Sequence, residues 1–254
     1  MTPAHWTDAY YGELYLDSVA DLLTPELTAL EAEVIAALLR IGPADRVLDL
    51  GCGHGRHALA LAASAGLVCG LDRSAAYLRR AAASAGGVGR RPALVRGDLR
   101  ALPLRPARFD AAFSWYSSLF AFDDPTNEAC LAGAARAVRP GGRLLVHHGN
   151  PLRAAAEPEA GAARTLSDGS RVEERSRWDP ARGVDVSSRR IIRPGGAVLA
   201  ATAELRYYMP SEWGRLAERA GLWLVAVTST SGAAERREPG PEDPDLIAVL
   251  ETPA

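Results

Sequence analysis

VLDLGCGHGRHALALA, residues 47–62, decides how this chain is read. An apolar run ends at Asp49 and Leu50, glycines stand at 51, 53 and 55, and an Ala/Leu-rich stretch follows at once. The pattern predicts strand, glycine turn and helix. Glycines let a backbone turn sharply and approach a ligand without Cβ clashes. The first N–H groups of a helix lack internal partners and suit an anion. A dinucleotide fingerprint asks for a third glycine where Arg56 stands. Asp49, two residues before Gly51, separates the readings further. Phosphate would not favour a carboxylate there, whereas a ligand carrying an ammonium group would.

Outward from this stretch the same unit recurs. The apolar runs RVLDL, LVCGLD, PALVRGD, FDAAFSW and GRLLVHH alternate with helical segments near 55–65, 74–85 and 126–138. Such alternation implies a parallel sheet covered on both faces, with ligands bound beyond the carboxyl ends of its strands. Asp72 ends the second strand 19 residues after Gly53, where a carboxylate can accept both hydroxyls of a ribose. Gly97, Asp98 and Leu99 end the third, putting Asp98 and a neighbouring N–H near an adenine edge. Any one of these acids could be a turn or cap residue. Three in register with a glycine loop point to one ligand.

The flanks differ. Residues 1–40 read as helical in two pieces, the second opened by Thr24 and Pro25 and carrying Leu27, Leu30, Val34, Ile35, Leu38 and Leu39 at three- and four-residue steps. Between 163 and 208 the helical period disappears, and SRVEERSRW, VDVSSRRII and VLAATAELRYY are separated by the turn signals DPARG and RPGG. A helix near 210–220 and the strands GLWLVAV and LIAVL close the chain. The expected organisation is a helical lid at 1–40, a core domain at 41–162 and 209–254, and a small antiparallel β insertion at 163–208.

Composition excludes several functions. All 29 basic residues are Arg, so Schiff-base and lysine-nucleophile chemistry is ruled out. A net charge of −2 gives no nucleic-acid footprint. Cys52, Cys69 and Cys130 form no CxxC or disulfide framework, which fits a reducing compartment. The start MTPAHWTDAYYGELY has no basic or apolar leader, and no window is long and apolar enough for a membrane span. The expectation is a cytoplasmic protein with no membrane or nucleic-acid partner, monomeric or homodimeric.

LDLGCGHG, GLD, GDLRALP, FDAAF and LRPGGRLL, in this order and spacing, resemble the class I S-adenosylmethionine-dependent methyltransferases over about residues 40–150. The resemblance implies a Rossmann-like doubly wound α/β fold with a seven-stranded sheet whose last strand is antiparallel. It implies S-adenosyl-L-methionine as cofactor. Asp49, Gly51, Gly53 and Gly55 would surround the methionine part, Asp72 the ribose, and Asp98 and Leu99 the adenine, with Arg73 and Ser114 as further contacts. The aromatic start, FSWYSSLFAF and the insertion followed by YYMPSEWGRLAERAGL are similar to the branch of glycine and antibiotic-pathway sugar N-methyltransferases. In that branch N-terminal tyrosines reach the cofactor carboxylate, which points here to Tyr11 or Tyr15.

The expected reaction is methyl transfer to a nitrogen or oxygen of a small-molecule acceptor. The alternatives are a non-methylating cyclisation or rearrangement in the same pocket, and a non-enzymatic cofactor-binding scaffold. The acceptor belongs above strands four and five, with Trp115, Tyr116, Ser117, Phe120 and Asn150 as its expected contacts. A base is needed only for a protonated nucleophile. His147 and His148 are the candidates, with Tyr116 beside them. Successive strand residues face opposite ways, so only one histidine can enter the pocket. No metal is expected: Cys52, His54 and His57 have ligand-like spacing but lie in the cofactor loop. The Arg-rich insertion reads as solvated surface, with an anionic substrate as the other reading.

Overall fold

The computed structural model describes residues 6–19, 21–87, 89–235 and 237–254; the first five residues of the expected lid, and Ala20, lie outside these. Three helices lead the chain: α1 (Trp6–Tyr10), α2 (Glu13–Val19) and α3 (Pro25–Leu39). The first expected helical piece is thus broken at Tyr11 and Gly12. Thr24 caps α3 by accepting the Leu27 N–H at 3.2 Å, with Pro25 opening the first turn. The helix stops at Arg40, which is left-handed (φ 57°).

The repeated units follow as β1 (Arg46–Leu50), α4 (Arg56–Leu61), β2 (Leu67–Asp72), α5 (Ala75–Ser84), β3 (Ala93–Arg96), β4 (Phe109–Ser114), α6 (Asp124–Ala137) and β5 (Val138–Gly149). The chain continues through α7 (Pro151–Ala156), β6 (Glu159–Thr165), β7 (Arg171–Asp179), β8 (Val184–Ile192), β9 (Val198–Arg206), α8 (Trp213–Arg219), β10 (Trp223–Thr228) and β11 (Asp245–Glu251). Seven strands form one sheet in the order β10-β11-β5-β4-β1-β2-β3. β11 runs antiparallel to both β10 and β5, and the remaining pairs are parallel. The strand order reverses beside β1, so the glycine turn after β1 lies at the crevice where such sheets bind ligands.

The central strands bury both faces, which is why their sequences are continuously apolar. Leu48, Leu50, Leu71, Leu144 and Trp213 pack on one side, and Ile35, Val47, Leu61, Phe113 and Leu145 on the other. Each such side chain contributes about 1.5–3 kcal/mol by leaving water.

β6 to β9 form a second, consecutively antiparallel sheet. It begins at Glu159, four residues before the expected insertion. EAGAART has neither alternation nor β-branched content except its last residue, yet it pairs with β7 along its length. Val172 and Ile191 of this sheet pack on Leu14, and Ala203 and Leu205 on Tyr10. The leading helices therefore lie between the small sheet and the main domain. Among the described residues no helix is long and apolar enough to cross a membrane.

Candidate active site

Two cavities meet at the carboxyl ends of the main strands. The first, about 350 Å³, is floored by the turn after β1, the ends of β2 and β3, and Trp115 and Tyr116, and is roofed by α1 and α2. Gly51, at φ 77°, would set a Cβ 2.6 Å from Ser118 Cβ, and Gly55, at φ 81°, one 2.8 Å from Ala81 Cβ. Both glycines are therefore required by conformation and by space. The Gly51 and Cys52 N–H groups donate to Leu71 O (2.8 and 3.0 Å), locking the turn to β2.

The acids at the strand ends have different settings. Asp72 accepts the Gly53 N–H at 2.9 Å and the Ser74 N–H at 2.7 Å; burial raises its pKa against these bonds. Asp49 is 2% exposed and its Oδ2 has no hydrogen-bond partner. Burial, then the nearby Asp72 charge, pushes it up to about 8. It lines the cavity, with the Arg56 charge opposing that rise only in part. Asp98 lies just past β3 and is gripped by Arg100 at 3.0 and 2.6 Å, which lowers its pKa; Leu99 lines the cavity beside it. Arg73 forms an ion pair with Asp8 of α1, and the Tyr77 hydroxyl donates to Gly12 O at 2.7 Å. These two contacts tie the roof to the floor.

The second cavity, about 810 Å³, lies between α3, the end of β5 and the small sheet. Tyr11, Tyr15 and Tyr116 line both cavities. Burial raises the pKa of all three phenols, leaving them neutral near pH 7. Tyr116 and Ser117, at φ 53° and 60°, are consecutive left-handed residues, a strained turn that must be held from outside. The Ser117 N–H donates to His147 O at 3.0 Å.

Glu31 on α3 does most of that holding. It accepts the Tyr116 hydroxyl (2.7 Å), Trp115 Nε1 (3.2 Å) and His57 Nε2 (3.0 Å), and pairs with Arg56. Burial pushes its carboxyl up, but the bonds from His57, Arg56 and Tyr116 overcome this and hold it at about 2. His57 is lowered to about 4 by burial, so it is a neutral donor here. The Arg56 guanidinium also lies 5.3 Å from the Tyr116 ring centre. Residue patterning did not reveal this cluster. The available signal was an acid four residues from both Leu27 and Ile35, on the apolar stripe of α3.

The adjacent histidines part company. His147 faces the second cavity, stacked on Trp115 at 4.2 Å. Its Nδ1 accepts the Tyr116 N–H at 3.2 Å, and Nε2 lies 3.5 Å from Asp245 Oδ2. In that pattern Nδ1 is the acceptor and Nε2 faces the carboxylate, so both nitrogens are engaged. The candidate base at 147 thus faces the second cavity with each ring nitrogen against a neighbouring group. His148 is fully buried, with Tyr207 and Trp213 in near-parallel contact at 5.7 Å each, and burial lowers it to about 3. It lines neither cavity and serves as a core ring.

Three other expected contacts are also corrected. Phe120 is fully buried against Tyr208 (4.8 Å) and Trp213 (5.6 Å), while its neighbours Ala121 and Phe122 line the first cavity. Ser114 is fully buried with an unpartnered Oγ, one residue short of the cavity. Asn150 caps α7 through the Leu152 N–H (3.0 Å) and donates to Gly240 O (2.7 Å) and Asp243 O (2.9 Å), fastening a loop.

Residues 47–142 match the model of a methyltransferase domain. Among solved structures, the CcbJ methyltransferase of Streptomyces caelestis aligns at 25% identity and TM-score 0.80, covering 97% of this chain and 99% of that one. CalS10 of Micromonospora echinaspora, an amino pentose methyltransferase solved with S-adenosylmethionine bound, aligns at 20% identity and TM-score 0.66 over 95% and 97%. A demethylmenaquinone methyltransferase of Mycobacterium marinum is 37% identical over 108 residues, 42% of this chain and 43% of the relative. This chain spans less than half the length of the curated relatives it matches.

Proposed function

We propose that this chain, which matches a methyltransferase domain over residues 47–142, uses S-adenosylmethionine to methylate a nitrogen or oxygen of a small molecule held in the second cavity. The observation that carries this reading is the shared wall: Tyr11, Tyr15 and Tyr116 border both cavities, so ligands in the two lie on either side of the same three side chains. The residues of the first cavity fit the cofactor. The unpartnered Asp49 Oδ2 suits its ammonium group, Asp72 its ribose hydroxyls, and the glycine turn admits its backbone-hugging length. Bound there, the cofactor supplies an electrophilic methyl group on a sulfonium.

The chain's own part is positioning, which alone accounts for a large share of such rates. Glu31 and His147 fix Tyr116 at the wall. The neutral tyrosines and the hydrogen-bonded His147 support a nucleophile that arrives uncharged. A panel of amino sugars and small amines, assayed for S-adenosylhomocysteine, tests the reading, with calorimetric titration of S-adenosylmethionine beside it. Asp72→Ala should weaken cofactor binding by about ten- to a hundredfold. Absence of binding by the parent chain would sink the proposal, and turnover without S-adenosylhomocysteine would favour the cyclisation reading.

A further inference from the structure

Among the described residues the second cavity is lined by one arginine, whose guanidinium its surroundings satisfy only in part. Arg189, on β8, reaches in from the small sheet with its side chain 12% exposed. Its Nε lies 2.8 Å from Glu174 Oε1, outside hydrogen-bonding alignment, and Nη1 is buried with no partner. Glu174 is itself shared with Arg164 at 3.3 Å. The guanidinium carbon stands 5.1 Å from the ring centres of both Tyr10 and Tyr15, so two aromatic faces fix its plane. The acids of the same cavity are committed. Glu31 holds four donors, and Asp245 holds the Thr230 N–H at 2.7 Å and faces His147. A buried guanidinium N–H without an acceptor is costly in the free protein. An arriving oxyanion would relieve that cost.

We infer that Arg189 is the recognition group for an acidic substituent, carboxylate or phosphate, on the acceptor molecule. The inference rests on the reading of the second cavity as the acceptor site. Tyr15 lies under Arg189 and also borders the first cavity, so an acidic group at Arg189 is within a small molecule's reach of an atom methylated at that wall. The arginine comes from the insertion, outside the matched domain, so acceptor choice is written in a separate part of the chain from cofactor binding.

Phenylacetate and phenyl phosphate, each titrated into the parent chain with S-adenosylhomocysteine present, test this against neutral phenylacetamide. At least one anion should bind about tenfold tighter than the amide, and which one does so identifies the acidic group. Arg189→Gln should remove that margin while keeping a cooperative thermal transition. Glu174→Gln should act with the opposite sign, tightening the same anion by freeing the cation from its partial partner. Equal affinity for amide and anions, or an unchanged margin in Arg189→Gln, would overturn the proposal. Methyl transfer is not read in these titrations. Failure to form S-adenosylhomocysteine from any acceptor would count against the proposed function and leave Arg189-dependent anion binding standing.

Discussion

Glu31 is the residue on which the wall between the cavities most depends, and its removal can be worked through. Alanine there removes the acceptor of Tyr116, Trp115 and His57 and the counter-charge of the Arg56 guanidinium, whose side chain is 10% exposed and keeps only Thr28 Oγ1 at 3.1 Å. Breaking a buried charge pair in this way costs about 3–5 kcal/mol. A second route gives a similar figure. A carboxyl lowered from 4.5 to about 2 in the folded chain is worth about 3 kcal/mol at neutral pH. The folded pKa is depressed, so this stability is complete above the unfolded value and is lost as pH falls through about 2. Urea unfolding followed by tryptophan fluorescence should find Glu31→Ala less stable than the parent by about 3–5 kcal/mol at pH 7. The deficit of Glu31→Gln, about 3 kcal/mol at pH 7, should shrink by about 2 kcal/mol at pH 3. A deficit that does not change with pH would mean that the native cluster does not rest on an ionised carboxylate. One below about 1 kcal/mol at pH 7 would mean that the donors find other partners.

Gly51→Ala places a methyl group at φ 77° and within 2.6 Å of Ser118 Cβ; a loss of about 1–3 kcal/mol in thermal unfolding is expected, with weaker cofactor binding. Asp49, raised to about 8, is mostly protonated at pH 7 and must ionise to meet an ammonium group. S-adenosylmethionine titrated in buffers of different ionisation enthalpy should therefore release about one proton, and Asp49→Asn should abolish that release. His148, lowered to about 3 by burial, stays neutral in the fold while the unfolded chain takes a proton near 6.5. Stability is then lost as pH falls from about 6.5 toward 3, and His148→Phe should flatten that slope in unfolding measured from pH 7 to pH 4.

What could be read from the sequence was what is local. Asp49, the three glycines and Asp72 belong to one strand–turn–helix–strand unit whose geometry follows from backbone rules alone. The separate fates of His147 and His148 follow from strand alternation, but which of them faced the cavity did not: Trp213 and Tyr207, distant in the chain, take His148 into the core. Glu31 was harder still. Its partners lie 26, 84 and 85 residues away, and only folding shows that one acid serves all of them. Strand β6 was missed because Glu, Ala and Gly have little strand preference, and its pairing with β7 overrides that. Ser114, Phe120 and Asn150 were misplaced by one or two positions at strand and turn ends, where a half-turn separates cavity from core.

The roof helices carry a thermodynamic consequence. Asp8 and Gly12 fasten them to the first cavity through Arg73 and Tyr77, while Tyr11 and Tyr15 on the same segment form part of the second. A ligand that settles this segment from one side also shapes the chamber on the other. The two binding equilibria are then coupled through a single shared element, and such coupling is reciprocal. Whatever factor the cofactor adds to the affinity for the acceptor, the acceptor returns to the cofactor.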